Sequence, residues 1–236
     1  MLFRSVMAVE PPAITKVGGG ILTLDAGNTY SGNTTISGGT LALSGSGAIG
    51  STPTIDVRSG AFLDVSALGT PTLALGAQTL KGNGTVNGNI DSTGGGTVSP
   101  GASIGTLTVT NVATLGGALY VELNRTNGAQ TNDILVASSI VLGGTLTVTN
   151  LGPTLVAGDR FVLLKGGVSG SFTTVNLPEN LGGVTYTWTN RTDIDGSIRV
   201  LTVVTVNTNP TNITTSVSGS TLTLSWPADH TGWRLQ

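Results

Sequence analysis

The chain of 236 residues has no cysteine, a single histidine and two methionines. Charged residues make up 9% and aromatics 4%, where an average soluble domain is about 25% charged. Each shortage closes off some chemistry. Without cysteine there is no disulfide, no thiolate nucleophile and no cysteine-ligated zinc or iron–sulfur cluster. With His230 alone, a site built on several histidines cannot form. The net charge is −2 and Lys and Arg are never clustered, so nucleic acid is not an expected partner. No apolar run approaches the ~18 residues of a transmembrane helix, so no membrane span is expected. The opening "MLFRSVMAVEPP" carries too short an apolar stretch for a signal peptide. An export address is therefore not expected within this chain.

What the chain has instead is glycine, 36 residues of it, and 38% hydrophobic residues with a mean hydropathy of +0.27. Disordered chains are poor in apolar residues and rich in charge, the reverse of this. Leu, Val and Ile are scattered singly among Thr, Ser, Asn and Gly, which reads as many short strands joined by tight turns. Alternation with a period of two recurs along the chain, with Leu41 and Leu43, Ile55 and Val57, Leu107 and Val109, Leu119, Val121 and Leu123, then Leu146 and Val148.

The strands repeat. "GGTLAL" (38–43), "SGAFLDV" (59–65), "GNGTVNGNI" (82–90), "GGGTVSP" (94–100), "IGTLTVT" (104–110), "GGALYVEL" (116–123) and "GGTLTVT" (143–149) are variants of one glycine-opened unit. No unit can bury a face alone, but stacked units bury a continuous apolar column. The spacing predicts an all-β parallel β-helix with about 20–25 residues per rung and roughly eight rungs. Glycine and Asn suit its corners because they tolerate positive φ. Strands stack ~4.8 Å apart, so low charge avoids repulsion between rungs, and Asn28, Thr29, Thr34 and Thr35 are expected to ladder with their neighbours.

The solenoid is expected to occupy 18–204, after an N-terminal extension over 1–17. "VTYTWTNRTDIDGSIRVLTVV" (184–204) reads as a capping hairpin turned at Asp-Gly. "NTNPTN" marks a linker over 205–212. Residues 213–236 read as the start of a truncated β-sandwich-like module or a tail.

The stretch "GILTLDAGNTYSGNTTISGGTLAL" resembles the passenger-associated repeat of autotransporter-type surface proteins. Leu22, Leu24, Gly27, Asn28, Thr29, Tyr30, Ser31, Gly32, Thr34, Ile36, Gly39, Thr40 and Leu41 carry the likeness. "VSPGASIGTLTV", with Pro100 and Gly101, and "AGDRFVLL" (157–164) resemble the same family. The resemblance implies a right-handed parallel β-helix, secreted or displayed on a Gram-negative-type bacterium. It also implies adhesin, scaffold or sometimes enzyme activity. The family's membrane barrel of alternating ~10-residue strands has no counterpart here, so self-transport is not expected. The tail resembles the start of a fibronectin-like module.

Few residues are candidates for catalysis. Asp193 and Asp195 are the closest carboxylate pair, and a glycosidase needs two such groups about 5–10 Å apart. Their place in "TDIDG" favours a turn in which Asp bonds its own backbone. Asp56 and Asp64, with Arg58 and Lys81, are expected to share one outer face, as a salt-bridge ladder or a polysaccharide-cleaving cluster. Ser225, Asp229 and His230 lie too close in sequence to read as a triad rather than a turn. Tyr120, Tyr186, Trp188, Trp226 and Trp233 are expected mainly in cap or core. No cofactor or bound calcium is expected, since "GNGTVNGN" lacks the Asp of calcium-binding repeats. The favoured expectation is a non-enzymatic surface stalk or adhesin-like module meeting glycans or cell-surface proteins. A polysaccharide hydrolase or lyase is the second reading. A filament subunit associating through its solenoid ends is the third.

Overall fold

The structure, a computed structural model, describes residues 13–126, 129–181, 184–205 and 213–225. It contains strands and no helix among those residues. One face of the molecule is a parallel ladder of eight strands: β1 (Ile14–Lys16), β3 (Thr34–Ile36), β5 (Thr54–Val57), β8 (Thr79–Gly82), β11 (Thr97–Pro100), β14 (Ala118–Thr126), β17 (Thr145–Asn150) and β20 (Thr174–Asn176). Ile14, Thr34, Ile55, Leu80, Val98, Leu119, Leu146 and Val175 lie in register, one per rung. Seven steps of ~4.8 Å make a rod of ~34 Å.

The other two faces belong to one ten-stranded sheet. The second face holds β2 (Ile21–Leu24), β4 (Gly39–Gly45), β6 (Ala61–Leu68), β9 (Thr85–Asn87) and β12 (Thr106–Val109). The third holds β7 (Thr72–Ala74), β10 (Asn89–Asp91) and β13 (Val112–Leu115). The long strand β16 (Ile134–Leu142) joins them. Its first residues pair with β12 and its last with β13, and β19 (Leu164–Gly170) follows it across the same corner. A register shift between Val136 and Ser139 makes the bend, the usual role of an irregularity in a strand. Leu22, Leu41, Leu63, Val86 and Val109 stack on the second face, and Leu73, Ile90, Ala113, Ile140 and Val168 on the third.

Every alternating pair named from the sequence is buried, including Leu41, Ile55, Leu107, Leu119 and Leu146 at 0% exposure. This is a parallel β-solenoid, and the period-two alternation caused it. Rungs vary in length, from 18 residues between Leu80 and Val98 to 29 between Leu146 and Val175. The two longest contain excursions. β14 turns back antiparallel into β15 (Ala129–Asn132), and β18 (Arg160–Val162) leaves the ladder for the cap.

Two details differ from expectation. Thr34 does not ladder on the surface: it points inward, fully buried, between Tyr30 Oη at 2.6 Å and Thr52 Oγ1 at 3.2 Å. An inward hydroxyl is tolerated there because both partners are at hand. The ladder also begins at β1, inside the stretch expected as an N-terminal extension. Its Lys16 is buried at an inward position, and the ammonium donates to the carbonyls of Val17, Gly18 and Gly38 at 2.9, 2.7 and 3.0 Å. Three carbonyl acceptors satisfy all three ammonium donors.

At the far end stands an antiparallel sheet in the order β18-β23-β22-β21, made of β18, β21 (Asn180–Leu181), β22 (Val184–Arg191) and β23 (Ser197–Thr205). The capping hairpin read from 184–204 is its centre. Beyond it, β24 (Thr214–Ser218) and β25 (Thr221–Ser225) pair only with each other, and all their residues are exposed. Trp226, Asp229, His230 and Trp233 lie outside the described residues.

Candidate functional site

Asp56 sits between the buried Ile55 and Val57 on β5, so alternation turns its side chain outward. Its ladder neighbours are Thr35 on one side and Lys81 on the other. Arg58, just past the strand, donates from Nε to Asp56 Oδ2 at 3.3 Å. The Arg58 side chain is 59% exposed and that of Asp56 18%. A surface ion pair of this kind contributes little to stability. Lys81 makes no ion pair among the described residues.

These side chains line an open groove of about 440 Å³, together with Ser59, Asn83 and the small residues Gly82 and Ala102. Ala102 belongs to the "SPGAS" turn, which a two-way bridge between Gly82 and Gly101 holds against β8, at 3.1 and 2.9 Å. Gly101 has φ +94°, and a Cβ there would strike the Ser103 carbonyl and Asp133 Oδ1. Only glycine fits that position. Pro100, beside it, is buried in β11. Asp56 Oδ1, beside the groove, and Asn83 Oδ1, packed against Gly105, are shielded from solvent and have no hydrogen-bond partner among the described residues.

Asp64 is not part of this cluster. It lies on β6, in register with Ala42 and Asn87, on the second face. The expectation of one shared face fails because the chain turns a corner at residues 58–60 between the two strands. Burial pushes the Asp64 carboxyl up, but hydrogen bonds from the Ser66 hydroxyl and amide and from Asn87 outweigh it, so the group titrates below its ordinary value.

The pair Asp193 and Asp195 lies in the turn between β22 and β23, where Asp195 bonds side chains rather than its own backbone. Asp193 is exposed. Asp195 accepts from the Ser197 hydroxyl, from Arg191 Nε at 3.1 Å and from Arg160 at 3.4 Å. The Ser197 bond foremost, then the two arginines, hold its carboxyl at about 2. A general acid must keep its proton near working pH, which Asp195 does not.

Among the residues carrying the repeat motif, Asn28 donates from Nδ2 to the carbonyls of Ala26 and Ala48 at 2.8 and 3.2 Å, tying adjacent rungs. Thr29 and Ser31 are exposed, and the Gly32 carbonyl accepts from Thr52 Oγ1 at 2.6 Å. Gly39 has φ +65°, and a Cβ would meet the Gly18 and Gly20 carbonyls. Thr40 pairs with Ile21, and Leu41 is core. The motif residues build corners and column.

The aromatic residues largely follow expectation. Tyr186 is buried in the cap and accepts from the Leu155 amide at 3.2 Å, and Trp188 Nε1 donates to the Pro178 carbonyl at 2.7 Å. Tyr120 is exposed on the first face, with its hydroxyl 2.8 Å from Thr149.

Two further acidic residues, outside the sequence candidates, are buried nodes. Asp159 is buried and accepts from Gln130 Nε2 at 2.7 Å, Arg125 Nε and the Val156 amide at 2.8 Å. It ties the β14–β15 hairpin to β18. Asp133 is also buried, and accepts from the Gly105 and Glu122 amides, both at 2.8 Å. Burial pushes it up to about 7, against the pull of those amides and aided by the Glu122 charge. "DRF" and "ND" carry no spacing signal that separates such nodes from ordinary turn residues.

Residues 14–43 match the family model of the passenger-associated-transport-repeat. That stretch carries one passenger-associated-transport-repeat. The chain is also 31% identical over 140 residues to the Adhesin BmaC autotransporter of Brucella suis biovar 1 (strain 1330). That match covers 59% of this chain and 4% of the adhesin. The matched repeat spans β1 to β4, and so includes Lys16, Tyr30 and Gly39.

Proposed function

We propose that the chain is a non-enzymatic module of a secreted or surface-displayed passenger of a Gram-negative bacterium, a stiff rod with an adhesin-like role. The observation that carries this reading is the eight-strand ladder, most of whose inward positions are spent on an apolar column. The passenger repeat and the adhesin relative support the location and the role. No helix among the described residues is long and apolar enough to cross a membrane. The two candidate carboxylate pairs support a non-catalytic reading: Asp56 and Asp64 sit on different faces, and Asp195 is bound to arginines. The partners are surface glycans or cell-surface proteins, met through the outward polar positions of the rungs.

Antibodies raised against the purified chain test the location. They should label intact cells of the source bacterium, and external protease should remove the label. Labelling that requires permeabilised cells overturns the reading. Incubation with pectin and xylan should release no reducing ends. Turnover that vanishes in Asp56→Asn would install the enzyme instead.

A further inference from the structure

We propose that the groove beside Asp56 is a subsite for a carboxylated saccharide. The inference deepens the surface-module reading and rests on it for where the ligand is met. Two kinds of unspent hydrogen-bonding capacity meet in this groove. Arg58 and Lys81 are cations whose ends face solvent or carry no ion pair beyond the single Arg58–Asp56 contact. Asp56 Oδ1 is an acceptor with no donor among the described residues, shielded until the carboxylate turns toward the groove. A buried acceptor left unpaired is unfavourable, and a donor supplied by a ligand removes that penalty.

The ligand class follows from needing both. An inorganic anion answers the cations and leaves the acceptor unpaired. A neutral sugar's hydroxyls both donate and accept, but bring no charge to offset Arg58 and Lys81. A metal ion suits the acceptor but is repelled by Arg58 and Lys81. A uronic-acid-type residue brings a carboxylate and ring hydroxyls on one small body, and Arg reads carboxylates through paired N–H donors. The ladder places Lys81 directly across from Asp56 on the next rung, so the two side chains leave the sheet one ~4.8 Å step apart.

Binding has a defined rearrangement. The ligand carboxylate draws the Arg58 guanidinium away from Asp56 Oδ2. Asp56, freed, then turns about its Cβ–Cγ bond and accepts a ring hydroxyl. The floor is ready for close approach because Gly82 and Ala102 present little side chain. Gly82 has φ +116°, and a Cβ there would crowd the Val57 carbonyl and Asp56 Oδ1.

Calorimetric titration of the full chain tests this with four probes: tri-galacturonate, a hyaluronan tetrasaccharide, cellotetraose and sodium acetate. Either uronide should bind at least about tenfold tighter than cellotetraose or acetate, the size of one charged hydrogen bond. The two uronide arms distinguish plant or envelope acids from those of animal matrix. Lys81→Met and Arg58→Met should each weaken uronide binding about tenfold. Lys81→Arg should restore it, and Thr97→Ala, outward on the same face but outside the groove, should leave it unchanged. Equal binding of acidic and neutral probes overturns the proposal. So does unchanged uronide binding in Lys81→Met at an unchanged melting temperature. Absence of uronide binding alongside labelling of intact cells removes the subsite and leaves the surface module standing. Labelling only after permeabilisation removes the module's location, whatever the groove binds.

Discussion

The ladder and the cap are held together by different means. Along the ladder each rung repeats its neighbour, and residues of one column touch residues of the same kind: Leu80, Val98, Leu119 and Leu146 stack without a polar group between them. At the cap the repetition ends and strands reverse direction; Phe161, Ile198 and Val200 continue the apolar core, and single polar residues fix the junction around it. Asp159 ties the β14–β15 hairpin to β18. Asp195 gathers Arg160 and Arg191. Tyr186 and Trp188 reach backbone partners across loops. A repeat can be stabilised by non-directional burial because translation sets its geometry. A terminus has no translated copy, so directional bonds must define where it stops.

The sharpest way to break this contrast is in the column. Leu107→Ala and Leu146→Ala should each cost ~2–5 kcal/mol, the range for a fully buried leucine, read by chemical denaturation. Melting unchanged in both would remove the stacked column as the source of stability. Asp159→Ala comes next, at about 1.5–3 kcal/mol for lost bonds to a charged acceptor. Hydrogen exchange should then rise at 184–205 and 160–162 while β3, β5 and β8 stay protected. Uniform loss of protection would mean that cap and ladder are one cooperative unit.

A third test turns on pH. The folded chain keeps the Asp133 proton up to about 7, while an unfolded aspartate releases it near 3.8. Between those values the folded state binds more protons, so stability falls as pH rises through the window. The melting temperature should therefore drop between pH 5 and pH 8 by this route, and Asp133→Asn should flatten the slope. Asp195 runs the opposite way. Its carboxyl is held at about 2, so its contribution is complete above 3.8 and is lost as pH falls toward 2. The group is exposed, and its effect should be the smaller of the two. Tyr30→Phe, which removes the bond to Thr34, should cost about 1 kcal/mol. Thr97→Ala, on the outward side of the ladder, should change stability by less than about 0.5 kcal/mol.

The candidate site was legible only in part. Asp56, Arg58 and Lys81 were visible as a cluster because β5 and β8 open on the same Thr-apolar-polar pattern, which puts Asp56 and Lys81 in register. Asp64 was wrongly joined to them, since nothing in "VRSGAFLD" says whether Ser-Gly turns a corner or continues a face. The "SPGAS" turn was recognised as a motif, but its closeness to β8 depends on the Gly82–Gly101 bridge across the rung. Asp133 and Asp159 carry no local signal because most of their partners lie 11 to 34 residues distant.

By itself the sequence determined that this chain stacks. Period-two alternation with glycine corners admits few folds other than rungs laid on rungs, and the signal is local enough to read. It determined the inward Leu, Ile and Val, the capping hairpin and the likeness to passenger repeats. The tertiary structure alone decided how many residues each rung takes, which polar residues share a face and which carboxylates are buried. Those outcomes depend on where the corners fall, and a corner's position is fixed by contact with the rung below. Thr34 shows the difference: its alternation marks it only as one side of a strand, and the Tyr30 and Thr52 hydroxyls make the inside acceptable.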